Sequence, residues 1–202
     1  MKRYLRSSPV IDSDHPDVKS KARELTEGIE DRVECAIRLF YAVRDGIRYN
    51  FYPPSVPPPL MFKASHTLSV KEGFCIPKAI LLVALGRAVD IPGALGFADI
   101  RNHRLPPKVV ELMGGNVIRL HGFAELYIEG KWLKVTPAFD LAMCRQNRLT
   151  PVEFNGRTDA MFSPLDQDGR PFIEYLNERC HYLDDVEPHR LMEALTRGFE
   201  EG

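Results

Sequence analysis

Two stretches with the spacing of a helix face organise the first half of the chain. Val33, Ala36, Ile37, Phe40, Tyr41 and Val43 predict an amphipathic helix that ends near Gly46, with Cys35 read as a packing residue. Ala79, Ile80, Leu82, Val83, Leu85 and Gly86 predict a second helix, stopped by Asp90-Ile91-Pro92-Gly93. Pro77 marks its beginning, because proline fits a first helical turn and clashes in a helix interior. The period then changes. Ala94 to Ile100 reads as a strand, and His121–Ile128 with Trp132–Pro137, joined at Glu129-Gly130-Lys131, read as a hairpin. In the first hairpin strand His121, Phe123, Glu125 and Tyr127 share one face, and Gly122, Ala124, Leu126 and Ile128 share the other. This order of elements predicts an α+β fold in which the second helix packs on an antiparallel sheet.

The segment from Arg101 to Gly115 reads as a loop long enough to have a role in binding, with Asp99, Arg101 and His103 as its polar candidates. The prolines from Pro53 to Pro59 read as a stiff connector, with Tyr49, Phe51 and Tyr52 beside it as cleft-lining aromatics. Toward the end, Asp166-Gln167-Asp168-Gly169 reads as a turn, since it lacks the further carboxylates and terminal glutamate of a calcium loop. A last helix is expected near Pro188 to Phe199. His181 and His189 have no matching ligand set, so neither a metal nor another cofactor is expected. One domain over 1–202 is expected, with a core at about 32–140 and a C-terminal extension at 141–202.

Composition changes this picture little. The 202 residues are 44% hydrophobic, enough for a sizeable core. With 27 basic and 28 acidic residues the net charge is -1, which offers no global attraction to nucleic acid or acidic membranes. The basic N-terminus lacks the apolar run of a secretory signal, and no later run could span a bilayer. Cys35, Cys75, Cys144 and Cys180 are widely spaced, without the pattern of a zinc site or a disulfide framework. A cytoplasmic protein with reduced thiols is the expectation.

The candidate chemistry lies where the pattern changes. Cys75, in Gly73-Phe74-Cys75-Ile76-Pro77, falls at the start of the second helix. Unpaired N–H groups and the helix dipole favour a thiolate there. His121 stands near the start of a rigid strand and is the candidate base.

Together these segments resemble the transglutaminase-like superfamily of papain-related cysteine enzymes. The resemblance is carried by Gly73-Phe74-Cys75, then His121-Gly122-Phe123-Ala124-Glu125-Leu126-Tyr127, then Gly130-Lys131-Trp132, and it extends over roughly Arg32 to Asp140 with Ile47-Arg48-Tyr49 ahead of the cysteine loop. It implies a papain-like cysteine proteinase fold and a thiol nucleophile acting with a histidine. One position departs from the family, whose second strand commonly ends in Asp-Pro-Thr with the aspartate orienting the histidine. Here the tripeptide is Thr136-Pro137-Ala138. Asp140 is the preferred substitute and the Thr136 hydroxyl the alternative.

The resemblance implies acyl transfer on amide bonds: a peptidase or amidase, or in variant form a transglutaminase or deamidase, with a peptide or protein as substrate. The backbone N–H of Cys75 and a second donor among His66, Thr67 and Ser69 would meet the oxyanion. The competing expectation is a binding module of the same fold that has lost activity.

Overall fold

The computed structural model describes residues 1–51, 56–182, 188–189 and 191–193, with only the backbone described at 178–182. In chain order the elements are α1 (Pro16–Thr26), α2 (Arg32–Gly46), β1 (Arg48–Tyr49), α3 (Pro58–Met61), α4 (Ala64–Val70), β2 (Glu72–Gly73) and α5 (Cys75–Ala88). They continue with β3 (Gly93–Asn102), α6 (Pro107–Met113), β4 (Val117–Ile128), β5 (Lys131–Val135), α7 (Leu141–Asn147) and β6 (Ile173–Tyr182). The fold is α+β, as expected.

Helix α5 is its axis. Every residue from Cys75 to Arg87 is buried, so the helix is enclosed on all sides and not merely amphipathic. It packs on β3 and β4 and against α1, α2 and α4. Its two buried cations bond backbone carbonyls. Lys78 Nζ donates to Arg44 O at 2.9 Å and Ile47 O at 2.6 Å, closing the C-terminal end of α2. Arg87 donates to Gly93 O at the start of β3. Helix α2 begins where Asp31 accepts from the Val33 N–H at 2.9 Å, a conventional N-cap, and Cys35 packs in the core as expected.

The main sheet is antiparallel in the order β5-β4-β3-β6. The hairpin β4–β5 matches the sequence expectation, with Glu125 opposite Lys134 and Tyr127 opposite Trp132. Two segments differ from their reading. The stretch expected as a loop from Arg101 to Gly115 carries the end of β3 and all of α6, with Pro107 in the first turn of α6 and Gly114 at φ +69° ending it. The segment after Asp140, in which no strand was expected, adds β6 to the sheet beside β3. The turn at Asp166 is as expected: its Oδ1 accepts from the N–H groups of Asp168 and Arg170, both at 2.9 Å. Tyr52 to Ser55, and most of the helix expected near Pro188 to Phe199, lie outside the described residues.

The register between β3 and β4 slips just ahead of His121. Leu120 adopts φ +56°, a left-handed conformation strained for leucine, and the pairing shifts between Ala98 and Ile100. Asp99 holds this bulge: its carboxylate accepts from the Leu120 N–H at 3.1 Å, Arg119 at 3.2 Å and Asn177 at 3.0 Å. Asp99 is thus tied into the sheet. Arg101 and His103 turn to Glu174 of β6, at 2.6 Å and 3.7 Å.

Candidate active site

The short parallel pair β1–β2 sets Tyr49 beside Gly73, two residues before Cys75. Cys75 is the first residue of α5, as the proline signal implied. Strand β4 crosses this helix start closely. A Cβ on Gly122 would stand 2.7 Å from Ile76 Cγ1 and 3.1 Å from Ile76 Cα, so the approach depends on a residue without a side chain. This contact brings the residue after His121 against the residue after Cys75. Among the described residues no hydrogen bond joins His121 to Cys75; the strand's own contribution to the sulfur is the Gly122 N–H.

Burial decides the protonation of both groups. Cys75 is 7% exposed and His121 3%. Burial pushes the thiol up to about 11, against the downward pull of the N–H groups of Gly122, Ile76 and Cys75 itself. Burial drives the His121 imidazole down to about 3. The helix-start environment was expected to favour a thiolate; desolvation outweighs it, and the resting pair is neutral thiol and neutral imidazole.

The imidazole is held by its surroundings. His121 Nε2 lies 3.1 Å from Thr136 Oγ1, and Thr136 is fully buried at the end of β5. The ring packs against Phe162 at 5.1 Å and Tyr175 at 6.4 Å between centroids. Asp140, the preferred orienting residue, is engaged elsewhere. It is the N-cap of α7, accepting from Met143 N–H at 2.8 Å, and its other oxygen accepts from Tyr49 N–H at 2.8 Å. Of the two candidates, Thr136 is the one within hydrogen-bonding distance of the ring. The physical reason is helix α7: the residue ahead of its first turn must satisfy free N–H groups, and Asp140 is that residue.

The three residues from which a second oxyanion donor was expected, His66, Thr67 and Ser69, lie on α4. Thr67 spends its hydroxyl on Lys63 O at 3.2 Å, and among the described residues no hydrogen bond joins His66, Thr67 or Ser69 to Cys75. The backbone N–H groups of Gly122, Ile76 and Cys75 are near enough to the sulfur to pull its thiol down against the effect of burial. The sequence reading did not foresee the approach of Gly122, nor Phe162 and Tyr175 beside the imidazole. The close approach of Gly122 was foreshadowed by a glycine inside an otherwise well-formed strand. The two aromatics come from distant chain with no local signal. No group of three or more histidine, cysteine and acidic side chains suited to a metal ion occurs among the described residues.

A family model described as the transglutaminase-like superfamily matches residues 19–137. Among solved structures, a protein from Cytophaga hutchinsonii provisionally described as a cysteine protease superposes with a TM-score of 0.51 at 20% identity, over 92% of this chain and 57% of its own. The periplasmic domain of TgpA from Pseudomonas aeruginosa aligns with a TM-score of 0.46 at 20% identity, over 66% of this chain and 46% of that one. The chain thus spans a little over half the length of the first of these structures. No curated protein matches it. No helix among the described residues is long and apolar enough to cross a membrane.

Proposed function

Because the chain belongs to the transglutaminase-like superfamily, we propose that it is a thiol-dependent acyl-transfer enzyme acting on amide bonds of a peptide or protein. The observation that supports this most is the local assembly of Cys75 at the first position of α5, Gly122 against Ile76, and His121 tethered through Nε2 to Thr136.

In this reading Nε2–H donates to Thr136 Oγ1, which leaves the lone pair of His121 on Nδ1. On substrate binding Nδ1 takes the Cys75 proton as the sulfur attacks the amide carbonyl, forming the C–S bond. The oxyanion is met by backbone N–H groups at the start of α5. Collapse breaks the C–N bond, His121 returns the proton to the leaving amine, and a thioester remains. Water or a second amine resolves it. Because both groups rest neutral, proton transfer accompanies attack and does not precede it. Thr136 fixes the ring without supplying negative charge, so the imidazolium gains less stabilisation than a carboxylate would give it.

Cys35, Cys75 and Cys144 are unpaired thiols, which supports a reducing location such as the cytoplasm. The second reading, a module that binds without turnover, draws on the neutral pair and the nearly enclosed sulfur. The two are separated with a peptidyl acyloxymethyl ketone, which needs thiol and imidazole acting together. Mass spectrometry should find the adduct on Cys75 in the native chain and lose it in His121→Ala. A native chain left unmodified would favour the binding module.

A further inference from the structure

A cavity of about 830 Å³ opens between β1, the β3–α6 connection and α7, in the size range of ligand sites. Tyr49, Phe139 and Met143 give it apolar walls, while Arg48, Arg104 and Lys108 bring three cations to it. Asp140 is the carboxylate in its lining, and both of its oxygens are already bonded to backbone N–H groups.

The three cations are not equally committed. Arg48 pairs with Glu72. Arg104 is anchored from behind: its Nε stands 3.2 Å from Oδ2 of the fully buried Asp166, a charge contact too poorly aligned to be a hydrogen bond for either atom. The terminal nitrogens of Arg104 have no hydrogen bond among the described residues, and neither does Lys108 an ion pair. An arginine ion-paired at Nε, with its terminal nitrogens free of hydrogen bonds, can grip a carboxylate at both of them.

Tyr49 relates the cavity to Cys75, which is not itself among the lining residues. The tyrosine lines it, packs edge-on against Phe139 at 4.7 Å between centroids, and is paired by its backbone with Gly73. Its phenol is also near enough to Cys75 for charge on the sulfur to push it up, in addition to the effect of burial.

We propose that this cavity is the acyl-donor subsite and that it takes a peptide segment with a carboxylate side chain, held by Arg104 with Lys108 as the second cation, beside the amide presented to Cys75. The assignment rests on the acyl-transfer reading, but its test does not need turnover. Three peptides, acetyl-Ala-Ala-Glu-Ala-Ala-amide and its Gln and Lys counterparts, are titrated calorimetrically into the full chain carrying Cys75→Ala. The Glu peptide should bind about tenfold more tightly than the Gln peptide, the worth of a charge-assisted hydrogen bond, and added salt should erode that margin. Arg104→Lys should keep part of the preference. Lys108→Glu, an exposed change that leaves the buried Asp166 paired, should shift it toward the Lys peptide. Equal affinity for Glu and Gln peptides, no measurable binding of any of the three, or a preference unmoved by both substitutions would overturn the assignment. A subsite that fails while the ketone still labels Cys75 leaves the enzyme intact; binding without labelling leaves the reverse.

Discussion

His121 Nε2 meets Thr136 Oγ1 at 3.1 Å, while Asp140, four residues further on, directs its carboxylate to the N–H groups of Tyr49 and Met143. A hydroxyl is the neighbour of the ring at Nε2, and the nearby carboxylate builds a helix end. This division of labour makes the two residues separable by experiment.

Thr136→Val, nearly isosteric, removes the hydroxyl partner of His121 Nε2. With a substrate in hand it should lower kcat on the order of ten- to a hundredfold, a part of what a positioned base supplies, with little loss of stability. Asp140→Ala should do the opposite, costing about 1 kcal/mol for the lost cap, with a further loss at Tyr49 and a smaller effect on rate. Urea denaturation beside steady-state kinetics checks the pair; a larger rate loss in Asp140→Ala at unchanged stability would restore the carboxylate to the site.

The neutral thiol has its own signature. Alkylation of Cys75 by iodoacetamide should accelerate through an apparent pKa near the value of about 11 set by burial, above the ordinary thiol value of about 8.5 that the unfolded chain should display. A plateau reached below pH 8 would instead reveal a resting thiolate–imidazolium pair.

Burial of a neutral imidazole is also a stability statement. His121 falls from 6.5 to about 3 on folding, so across that interval the unfolded chain binds the extra proton. Its contribution is present above pH 6.5 and is lost as pH falls toward 3, at no more than about 1.4 kcal/mol per pH unit. Between pH 6.5 and 4.5 the urea midpoint of the native chain should drop more steeply than that of His121→Gln. Parallel profiles would place the acid sensitivity in other groups.

Gly122→Ala would put a methyl 2.7 Å from Ile76 Cγ1. Overpacking of this kind costs about 1–3 kcal/mol and here pries β4 from the start of α5. Ketone labelling of Cys75 should fall by more than the stability loss explains, and Ile76→Ala in the same chain should return part of it. Full labelling in Gly122→Ala would mean that the close crossing is not needed for the chemistry.

Much of this arrangement was legible in the sequence, and the failures have physical causes. Helices α2 and α5 and the hairpin β4–β5 follow from strong periodicity, capping and turn residues, and they place Cys75 and His121 at a helix start and on a strand. Helix α6 was hidden because seven residues leave little room for a period, although Pro107 and Gly114 mark its ends. Strand β6 was missed because Ile173-Glu174-Tyr175-Leu176-Asn177-Glu178-Arg179 is too polar to read as a core strand. The protonation states were misread for a related reason. The dipole and N–H groups at Cys75 are local and visible, whereas the enclosure that overrides them includes contacts such as those of His121 with Phe162 and Tyr175, far along the chain.

The place of β6 beside β3 has a consequence for how the protein comes into being. Arg101 and Glu174, which meet across that seam, are 73 positions apart, so the seam closes a long loop and its entropy must be met before the pairing gives anything back. A chain emerging from the ribosome has Cys75, His121 and Thr136 in hand well before Tyr175 can cover the imidazole. The aromatic contact of Tyr175 with that ring therefore waits on the closing of the β3–β6 seam.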